Sequence, residues 1–308
     1  MSKIALVFPG QGSQYVGMGK DFYDNFTESR QVFDEASDLL EINMKKLVFE
    51  EKDKLNLTEY TQIAMVTTCV SLLKAVKKYG INAHVTAGLS LGEYSALINS
   101  EAISFEDGLK VVRERGILMD NALPKGTSTM AAVMGLSADD IQKVCDETQG
   151  LVTVANYNCP GQIVITGEVE AVDMASSKLK EVGARRIIPL RVSGAFHSPL
   201  LKEAGDKLFD LLKDIEINNP TIPYVSNVNA NFVCDNSNIR ELLSQQVYSP
   251  VKWQQSVEKM IKSGVDTFIE IGPGKTLTKF INKIDPNCKA INIDKIRDLD
   301  KLTEVTNA

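Results

Sequence analysis

Residues 84–94, His84-Val85-Thr86-Ala87-Gly88-Leu89-Ser90-Leu91-Gly92-Glu93-Tyr94, join an apolar run of the β type to a helical pattern through a Gly-x-Ser-x-Gly motif. Gly88 and Gly92 allow a sharp, close-packed turn, because glycine accepts backbone conformations and approaches that a side chain forbids. Such a turn presents the Ser90 hydroxyl above the strand, and the free N–H groups of the following helix point at the same place. A strand, a tight turn and a helix in this order predict an α/β domain with parallel strands.

The segments on either side of the motif continue this pattern. A strand is predicted over 3–8 and ends in the loop Pro9-Gly10-Gln11-Gly12-Ser13-Gln14. Helical periodicity covers 21–40, 62–79, 104–123, 200–212, 251–263 and 276–284, and a further strand covers 267–271. The glycines at 10–12 and 272–274 do not match a dinucleotide or phosphate loop, since Tyr15 and Ile269 occupy the positions where a further glycine is needed.

Residues 127–193 follow a different pattern. Strands are predicted over 129–136, 151–157, 162–166 and 186–192, and helices over 137–148 and 169–182. This βαββαβ order within about 65 residues is typical of a ferredoxin-like unit. We therefore expect a large α/β catalytic domain, residues 1–126 and 194–308, with a ferredoxin-like subdomain, residues 127–193, inserted into it.

Composition narrows the function classes. The chain has 308 residues, of which 44% are hydrophobic and 24% charged, with a net charge of −6. These are globular values, and the negative balance argues against nucleic acid or an anionic membrane as a partner. The five cysteines are dispersed, which is typical of reduced thiols. With neither a signal peptide nor a membrane-spanning run in the sequence, a cytoplasmic protein is expected.

A serine nucleophile needs a neighbouring base, and the sequence offers few candidates. His84 and His197 are its only histidines. His84 precedes Ser90 on the same predicted strand, about 20 Å away at ~3.3 Å per residue. His197, in a loop just after the insertion, is therefore the expected base. Two histidines and no paired cysteines also make a zinc site improbable, so no metal is expected.

Arg115 is the unusual charge of the helix predicted over 104–123. On a helical wheel it falls within the apolar arc, whereas Lys110, Arg113 and Glu114 fall outside it. A guanidinium turned inward needs an anion, because a buried unpaired charge is costly. The wheel alone leaves two partners open, a substrate carboxylate or an internal ion pair with Glu93.

Together these residues resemble the malonyl-CoA:acyl carrier protein transacylases over essentially the whole chain. The similarity rests on separated motifs in the same order: Phe8–Gln14, Gly88–Tyr94, Arg115-Gly116, Asn156–Gln162, Phe196-His197, Gln246 with Tyr248–Val251, and Glu270–Gly274. The fold that this family implies is an α/β-hydrolase-like large domain with a ferredoxin-like small one and the active site in the cleft between them.

The resemblance also implies a reaction. Ser90 would accept malonyl from malonyl-CoA and pass it to the phosphopantetheine thiol of acyl carrier protein, with His197 as base and then acid. The N–H groups of Gln11 and Leu91 would form the oxyanion hole, Arg115 would bind the malonyl carboxylate, and Gln246 would orient His197 through a carbonyl. No cofactor is expected, since both thiol carriers are substrates. The protein is expected to be a monomer.

Other residues have several interpretations. The resemblance implies that Phe196 and Met119 are selectivity residues that favour malonyl over methylmalonyl, with simple packing as the alternative for Phe196. Asn156 and Asn158 would line the cleft or serve the turn at Pro160-Gly161, and Arg185, Arg186 and Arg191 would meet phosphates or carrier protein, or form a solvated strand edge. Leu89 stands where the family usually has histidine, which leaves the polar support of the turn open.

Three alternative functions fit parts of the sequence. A discrete acyltransferase that serves a polyketide synthase would share all these motifs. An α/β-hydrolase-type serine esterase or thioesterase would share the serine turn but would not need Arg115. A non-catalytic carrier-binding module would not need Ser90.

Overall fold

The computed structural model describes residues 2–190, 192 and 194–306. Ten strands lie in these residues: β1 (Lys3–Phe8), β2 (Val85–Gly88), β3 (Ser128–Met134), β4 (Val152–Cys159), β5 (Gln162–Glu168), β6 (Arg186–Pro189), β7 (Tyr224–Val225), β8 (Phe232–Val233), β9 (Val265–Ile271) and β10 (Lys289–Ile293). They form two sheets, one of six strands and one of four.

The helices of the first half are α1 (Lys20–Asn25), α2 (Thr27–Leu40), α3 (Met44–Phe49), α4 (Lys52–Leu55), α5 (Thr58–Lys77), α6 (Gly92–Asn99) and α7 (Phe105–Asp120). Those of the second half are α8 (Ala138–Asp146), α9 (Val169–Glu181), α10 (Lys202–Leu212), α11 (Ile239–Tyr248), α12 (Trp253–Lys262), α13 (Thr276–Ile284) and α14 (Asp300–Thr306). None of these helices combines the length and the apolar character needed to cross a membrane.

The six-stranded sheet has the order β10-β9-β1-β2-β7-β8, and all neighbours except β7 and β8 run parallel. β1 lies at its centre, and residues 4–8 are buried. Ile4, Leu6 and Phe8 face a cluster with α5, whereas Ala5 and Val7 face α12 and α13. The continuous apolar run of β1 is thus explained by helices on both faces of the sheet.

The four-stranded sheet is antiparallel, in the order β4-β5-β3-β6. Its chain order, β3-α8-β4-β5-α9-β6, is the predicted βαββαβ order. One face packs on α8 and α9, and residues of the other, including Met130, Ala155 and Val164, belong to the large helical core. β4 also joins the segment before α12, because Val251 N donates to Ala155 O at 2.8 Å and Tyr157 N donates to Val251 O at 2.9 Å.

Several predicted boundaries were wrong. The helix expected over 21–40 is broken at Phe26, whose backbone is extended and separates α1 from α2. β4 continues to Cys159, so Asn156 and Asn158 lie within the strand instead of after it. The helix expected to reach 123 ends at Asp120, where Asn121 closes it. Arg191, in the strand predicted over 186–192, lies outside the described residues.

Candidate active site

The turn between β2 and α6 is as tight as the two glycines suggest. A Cβ on Gly88 would lie 1.9 Å from the carbonyl carbon of Gly92, and a Cβ on Gly92 would lie 2.1 Å from Phe8 O. Ser90 between them has a φ of 52°, in the left-handed region that costs a non-glycine residue about 1–3 kcal/mol. The sequence therefore forces the serine into a strained, projecting position at the end of a central strand.

His197 meets Ser90 across 107 positions of sequence. Ser90 Oγ and His197 Nε2 are 2.7 Å apart, and His197 Nδ1 is 2.7 Å from Gln246 O. Because a carbonyl oxygen only accepts, Nδ1 carries the proton and Nε2 is left to accept from the serine. His84 lies elsewhere, with Nδ1 accepting from Ile4 N at the start of β1.

Burial sets the protonation state of His197. The side chain is 4% exposed, and this desolvation, together with the nearby Arg115 cation, lowers its pKa to about 4. The hydrogen bond to Gln246 O opposes this shift in pKa without cancelling it. The imidazole is consequently neutral at pH 7, as a proton acceptor must be.

Arg115 extends from α7 into the same site and is 1% exposed. Nη1 donates to Gln62 Oε1 at 2.7 Å, and Nη2 donates to Gln246 Oε1 at 3.0 Å and to Ser90 Oγ at 3.3 Å. All three acceptors are uncharged. No carboxylate of the described residues lies within 4.0 Å of the guanidinium, so the ion pair with Glu93 is not formed. Within the described residues, the site thus holds a buried cation beside the serine that no carboxylate contacts directly, although Glu93 interacts with it at longer range.

Gln246 lies between Arg115 and Glu93. Its Nε2 donates to Glu93 Oε2 at 2.6 Å and to Ser90 O at 3.0 Å, while Oε1 accepts from Arg115. The carbonyl that holds His197 is therefore the main-chain one, and the side chain organises the rest of the site. Burial raises the pKa of Glu93 to about 7, and the hydrogen bonds from Gln246 and Asn227 limit that rise.

Gln11 and Leu91 lie on the two segments that enclose the serine. Leu91 is the residue before the first turn of α6. Gln11 lies in the loop after β1, next to Gly10, where an added Cβ would lie 2.5 Å from Leu89 O. Neither main-chain N–H donates to another group within the described part of the chain. The Gln11 side chain donates to Thr58 Oγ1 at 3.3 Å.

The two predicted selectivity residues, Met119 and Phe196, are 3% and 6% exposed and belong to the same core cluster. Met119 Sδ accepts from Gln62 Nε2 at 3.7 Å, so it adjoins the amide that holds Arg115. Phe196 immediately precedes the histidine. Asn156 and Asn158 are 8% and 7% exposed on β4, and the structure links Asn156 to Val251 and gives neither side chain a contact with Ser90.

The remaining predicted residues are at the margins. Arg185 and Arg186 are exposed at β6, an edge strand of the smaller sheet, and the prediction for Arg191 falls outside the described residues. Leu89 is half-buried against the cluster that contains Val251 and Trp253. Its side chain gives the serine turn no polar support.

Sequence reasoning missed two amides that hold the site together. Gln62, on the buried helix α5, bonds Arg115, and Asn227, after β7, bonds Ser90 N at 2.6 Å. An amide within the apolar run of α5 was a usable signal for Gln62. Asn227 lies in a turn with Asn229 and Asn231, where asparagine is ordinary, so nothing in the sequence marked it.

Comparison with known proteins identifies the family of this chain. The family description of the acyl transferase domain matches residues 5–292. The chain belongs to the acyl transferase family. Among the relatives of this acyl transferase is a malonyl CoA-acyl carrier protein transacylase of Bacillus subtilis, 46% identical over 297 residues, which covers 95% of this chain and 94% of the relative.

Solved structures of similar proteins extend over the same length. A malonyl CoA-acyl carrier protein transacylase from Clostridium perfringens superposes on this acyl transferase with a TM-score of 0.96 and 46% identity, covering 99% of this chain and 98% of the other. A malonyl-transacylase solved in complex with a type II PKS acyl-carrier protein gives a TM-score of 0.96 at 38% identity and covers 100% of both chains.

Proposed function

We propose that this acyl transferase moves malonyl from malonyl-CoA to the phosphopantetheine thiol of acyl carrier protein through a malonyl-Ser90 intermediate. The observation that carries the proposal is the position of Ser90 Oγ, 2.7 Å from a neutral imidazole and 3.3 Å from a buried guanidinium that has no carboxylate partner. The names of the relatives described above support the two substrates.

In the first half-reaction Ser90 Oγ attacks the thioester carbonyl carbon while its proton passes to His197 Nε2. The carbonyl oxygen takes up the negative charge, and the N–H groups of Gln11 and Leu91 would donate to it. Collapse of this intermediate breaks the carbon–sulfur bond. The imidazolium of His197 then gives its proton to the departing coenzyme A thiolate, and malonyl remains as an ester on Oγ.

The second half-reaction reverses these proton movements. The carrier thiol loses its proton to His197 Nε2 and attacks the ester carbonyl carbon. The carbon–oxygen bond to Ser90 breaks, and His197 returns the proton to Oγ. Throughout, Gln246 O accepts from Nδ1 and stabilises the imidazolium, a task that a carboxylate performs in many serine enzymes.

Arg115 supplies the preference for an acyl group that carries a free carboxylate. Its planar guanidinium suits bidentate binding, and a malonyl carboxylate would give the buried cation the anion that the protein does not. Phe196 and Met119 would limit the space beside the acyl chain. Asn156 and Asn158 are proposed only as neighbours of the cleft, at the junction of β4 with Val251.

The hydrolase function has less support than the transferase function, because the partner of His197 differs from that in a hydrolase triad. A hydrolase triad uses a carboxylate on Nδ1, and here the acceptor is Gln246 O. A polyketide acyltransferase would use the same residues on another carrier protein, so only the choice of carrier separates the two pathways. The proposed cycle exchanges one thioester for another without net oxidation or reduction, so it has no step that needs a redox cofactor.

We further propose that the chain divides into an α/β-hydrolase-like large domain, residues 1–126 and 194–308, and a ferredoxin-like subdomain, residues 127–193. The strand order β4-β5-β3-β6 with α8 and α9 on one face supports the second part. The parallel sheet with its serine turn after a central strand supports the first.

The test is mass spectrometry of the protein after brief incubation with malonyl-CoA. We expect one malonyl group on the peptide containing Ser90, none in Ser90→Ala, and full labelling in Ser177→Ala, which removes an exposed serine on α9. Added carrier thiol should discharge the ester faster than water does. Rapid loss to water in the presence of carrier thiol would instead indicate a hydrolase.

A further inference from the structure

The side-chain amide of Asn227 spans the turn that carries Ser90. Nδ2 donates to Gly88 O at 2.6 Å, and Oδ1 accepts from Ser90 N at 2.6 Å. The residue is 1% exposed. Asn227 therefore satisfies one buried donor and one buried acceptor with a single rigid group, a combination that needs a side-chain amide.

The turn needs an external support at these two atoms. The main-chain hydrogen bonds of the turn run from Gly92 N to Leu89 O and from Glu93 N to Ser90 O, so they begin α6 but leave Ser90 N and Gly88 O to Asn227. The positive φ of Ser90 is unfavourable and persists only where the surroundings hold it. Leu89, within the same turn, has no polar side-chain atom to contribute.

Asn227 itself is fixed from the other side. Its N–H donates to Glu93 Oε2 at 3.2 Å, and its carbonyl accepts from Lys252 N at 2.9 Å. The neighbouring Val251 is bonded to β4, so this segment is tied to the smaller sheet. The bond from Lys252 lies outside the serine turn, so the segment before α12 fixes the main chain of Asn227 in addition to Glu93.

We propose that Asn227 is a positioning residue for the Ser90 nucleophile, an inference that rests on the proposed function. By holding Gly88 O and Ser90 N at a fixed separation, the amide aims Oγ between His197 Nε2 and the oxyanion donors. Loss of either hydrogen bond should slow attack on the thioester while leaving malonyl-CoA binding intact, because no hydrogen bond among the described residues joins Asn227 to Arg115, the proposed carboxylate partner.

Two substitutions at Asn227 and one matched control test this role. Asn227→Asp keeps the acceptor for Ser90 N but places an oxygen against Gly88 O, and Asn227→Ser is too short to reach both atoms. Asn229→Asp makes the same amide-to-acid change two residues later, where the side chain is exposed and needs only its acceptor oxygen for Asn231 N. The readout is the rate and amplitude of malonyl-Ser90 formation in rapid-quench experiments over a range of malonyl-CoA concentrations.

For both Asn227 variants we expect the maximal acylation rate to fall about 10- to 100-fold, with the half-saturating malonyl-CoA concentration within about threefold of wild type. Asn229→Asp should match wild type. Unchanged rates in both Asn227 variants would overturn the proposal. So would a reduced amplitude at wild-type rate, or two unfolded variants, since either result makes Asn227 a folding residue. If wild type and Asn229→Asp also failed to label, the proposed function would be at fault.

Discussion

Nη2 of Arg115 lies 3.3 Å from Oγ of Ser90, although Arg115 belongs to α7 and Ser90 to the turn after β2. A hydrogen bond between the cation and the hydroxyl means that the guanidinium already occupies the space next to the atom to be acylated. A malonyl group on Oγ would bring its own carboxylate to this cation. The pair thus links the site of bond formation to the choice of substrate.

Arg115→Ala should change substrate preference more than overall reactivity. Loss of a charge-assisted hydrogen bond costs on the order of 2–3 kcal/mol, so malonyl transfer should fall about 30- to 150-fold. Acetyl transfer should fall much less, because acetyl has no carboxylate to bind. The measurement is the ratio of acylation rates with malonyl-CoA and acetyl-CoA.

Arg113→Ala is the matched control for that experiment. It removes the same charge from the same helix, but Arg113 pairs with Glu59 at 3.0 Å and faces away from Ser90. Its ratio should equal that of wild type. A malonyl-to-acetyl ratio that Arg115→Ala leaves unchanged would contradict the assignment of the carboxylate partner.

The acylation rate should keep its neutral-pH value well into the acidic range. His197 accepts a proton only when it is neutral, and burial with Arg115 lowers its pKa to about 4 from an ordinary value near 6.5. The rate should therefore fall as pH drops through about 4, not through 6.5. Single-turnover acylation at constant ionic strength, with circular dichroism to confirm the folded state, measures this limb.

Arg115→Met should move the acidic fall of the acylation rate to a higher pH. Removing the cation removes one of the two causes that lower the pKa of His197, so the midpoint should shift toward 6.5. A limb near 6.5 in wild type would show that the imidazole is more hydrated than its burial indicates.

Glu93 should make the protein less stable as the solution becomes more alkaline. Burial raises its folded pKa to about 7, above an ordinary value of about 4.5, so between these limits the folded state holds a proton that the unfolded state has lost. Stability from this group is complete below pH 4.5 and is lost as pH rises through 7. The lost contribution is roughly 2–4 kcal/mol.

Glu93→Gln isolates this effect, because glutamine keeps an acceptor for Gln246 and Asn227 but does not ionise. The free energy of unfolding is measured by urea titration at pH 5 and pH 8 for wild type and Glu93→Gln. The value for wild type minus that for Glu93→Gln should be more positive at pH 5 than at pH 8. A difference that is independent of pH would mean that the folded carboxyl is ionised across this range, as it is in the unfolded chain.

Phe196→Ser should relax the exclusion of an α-methyl branch. Phe196 is buried beside His197, and serine leaves space where its ring packs. One methyl group in an apolar pocket is worth about 10- to 200-fold in discrimination, and we expect the ratio of methylmalonyl to malonyl transfer to rise by about 10-fold. Phe209→Ser, on a half-buried face of α10, should leave the ratio unchanged.

Much of the site followed from the sequence because few residues could fill each role. Ser90 has glycines on both sides, His197 is one of two histidines, and Arg115 is the cation within an apolar arc. Because few residues of each required type exist, the other candidates for each role could be eliminated. The strands could also be predicted from the sequence, because apolar runs such as 3–8 and the βαββαβ order depend on local periodicity.

The rest depends on contacts between distant segments. Gln62 and Asn227 are neutral amides whose partners Arg115 and Ser90 lie 53 or more positions away, and composition does not distinguish such amides from surface ones. The break at Phe26 is also accompanied by a tertiary contact, since its ring packs on a core cluster that includes Ile293 and Leu302. The two-residue strands β7 and β8 are too short to leave a periodic signal.

Ser90 and His197 share an uncommon feature, since their φ angles are 52° and 59°. Glycine would adopt either conformation without strain, yet it would delete a reacting atom. A library selected only for heat resistance should therefore accumulate glycine at these two positions and become inert, so thermostabilisation of this enzyme has to be screened for turnover at every round.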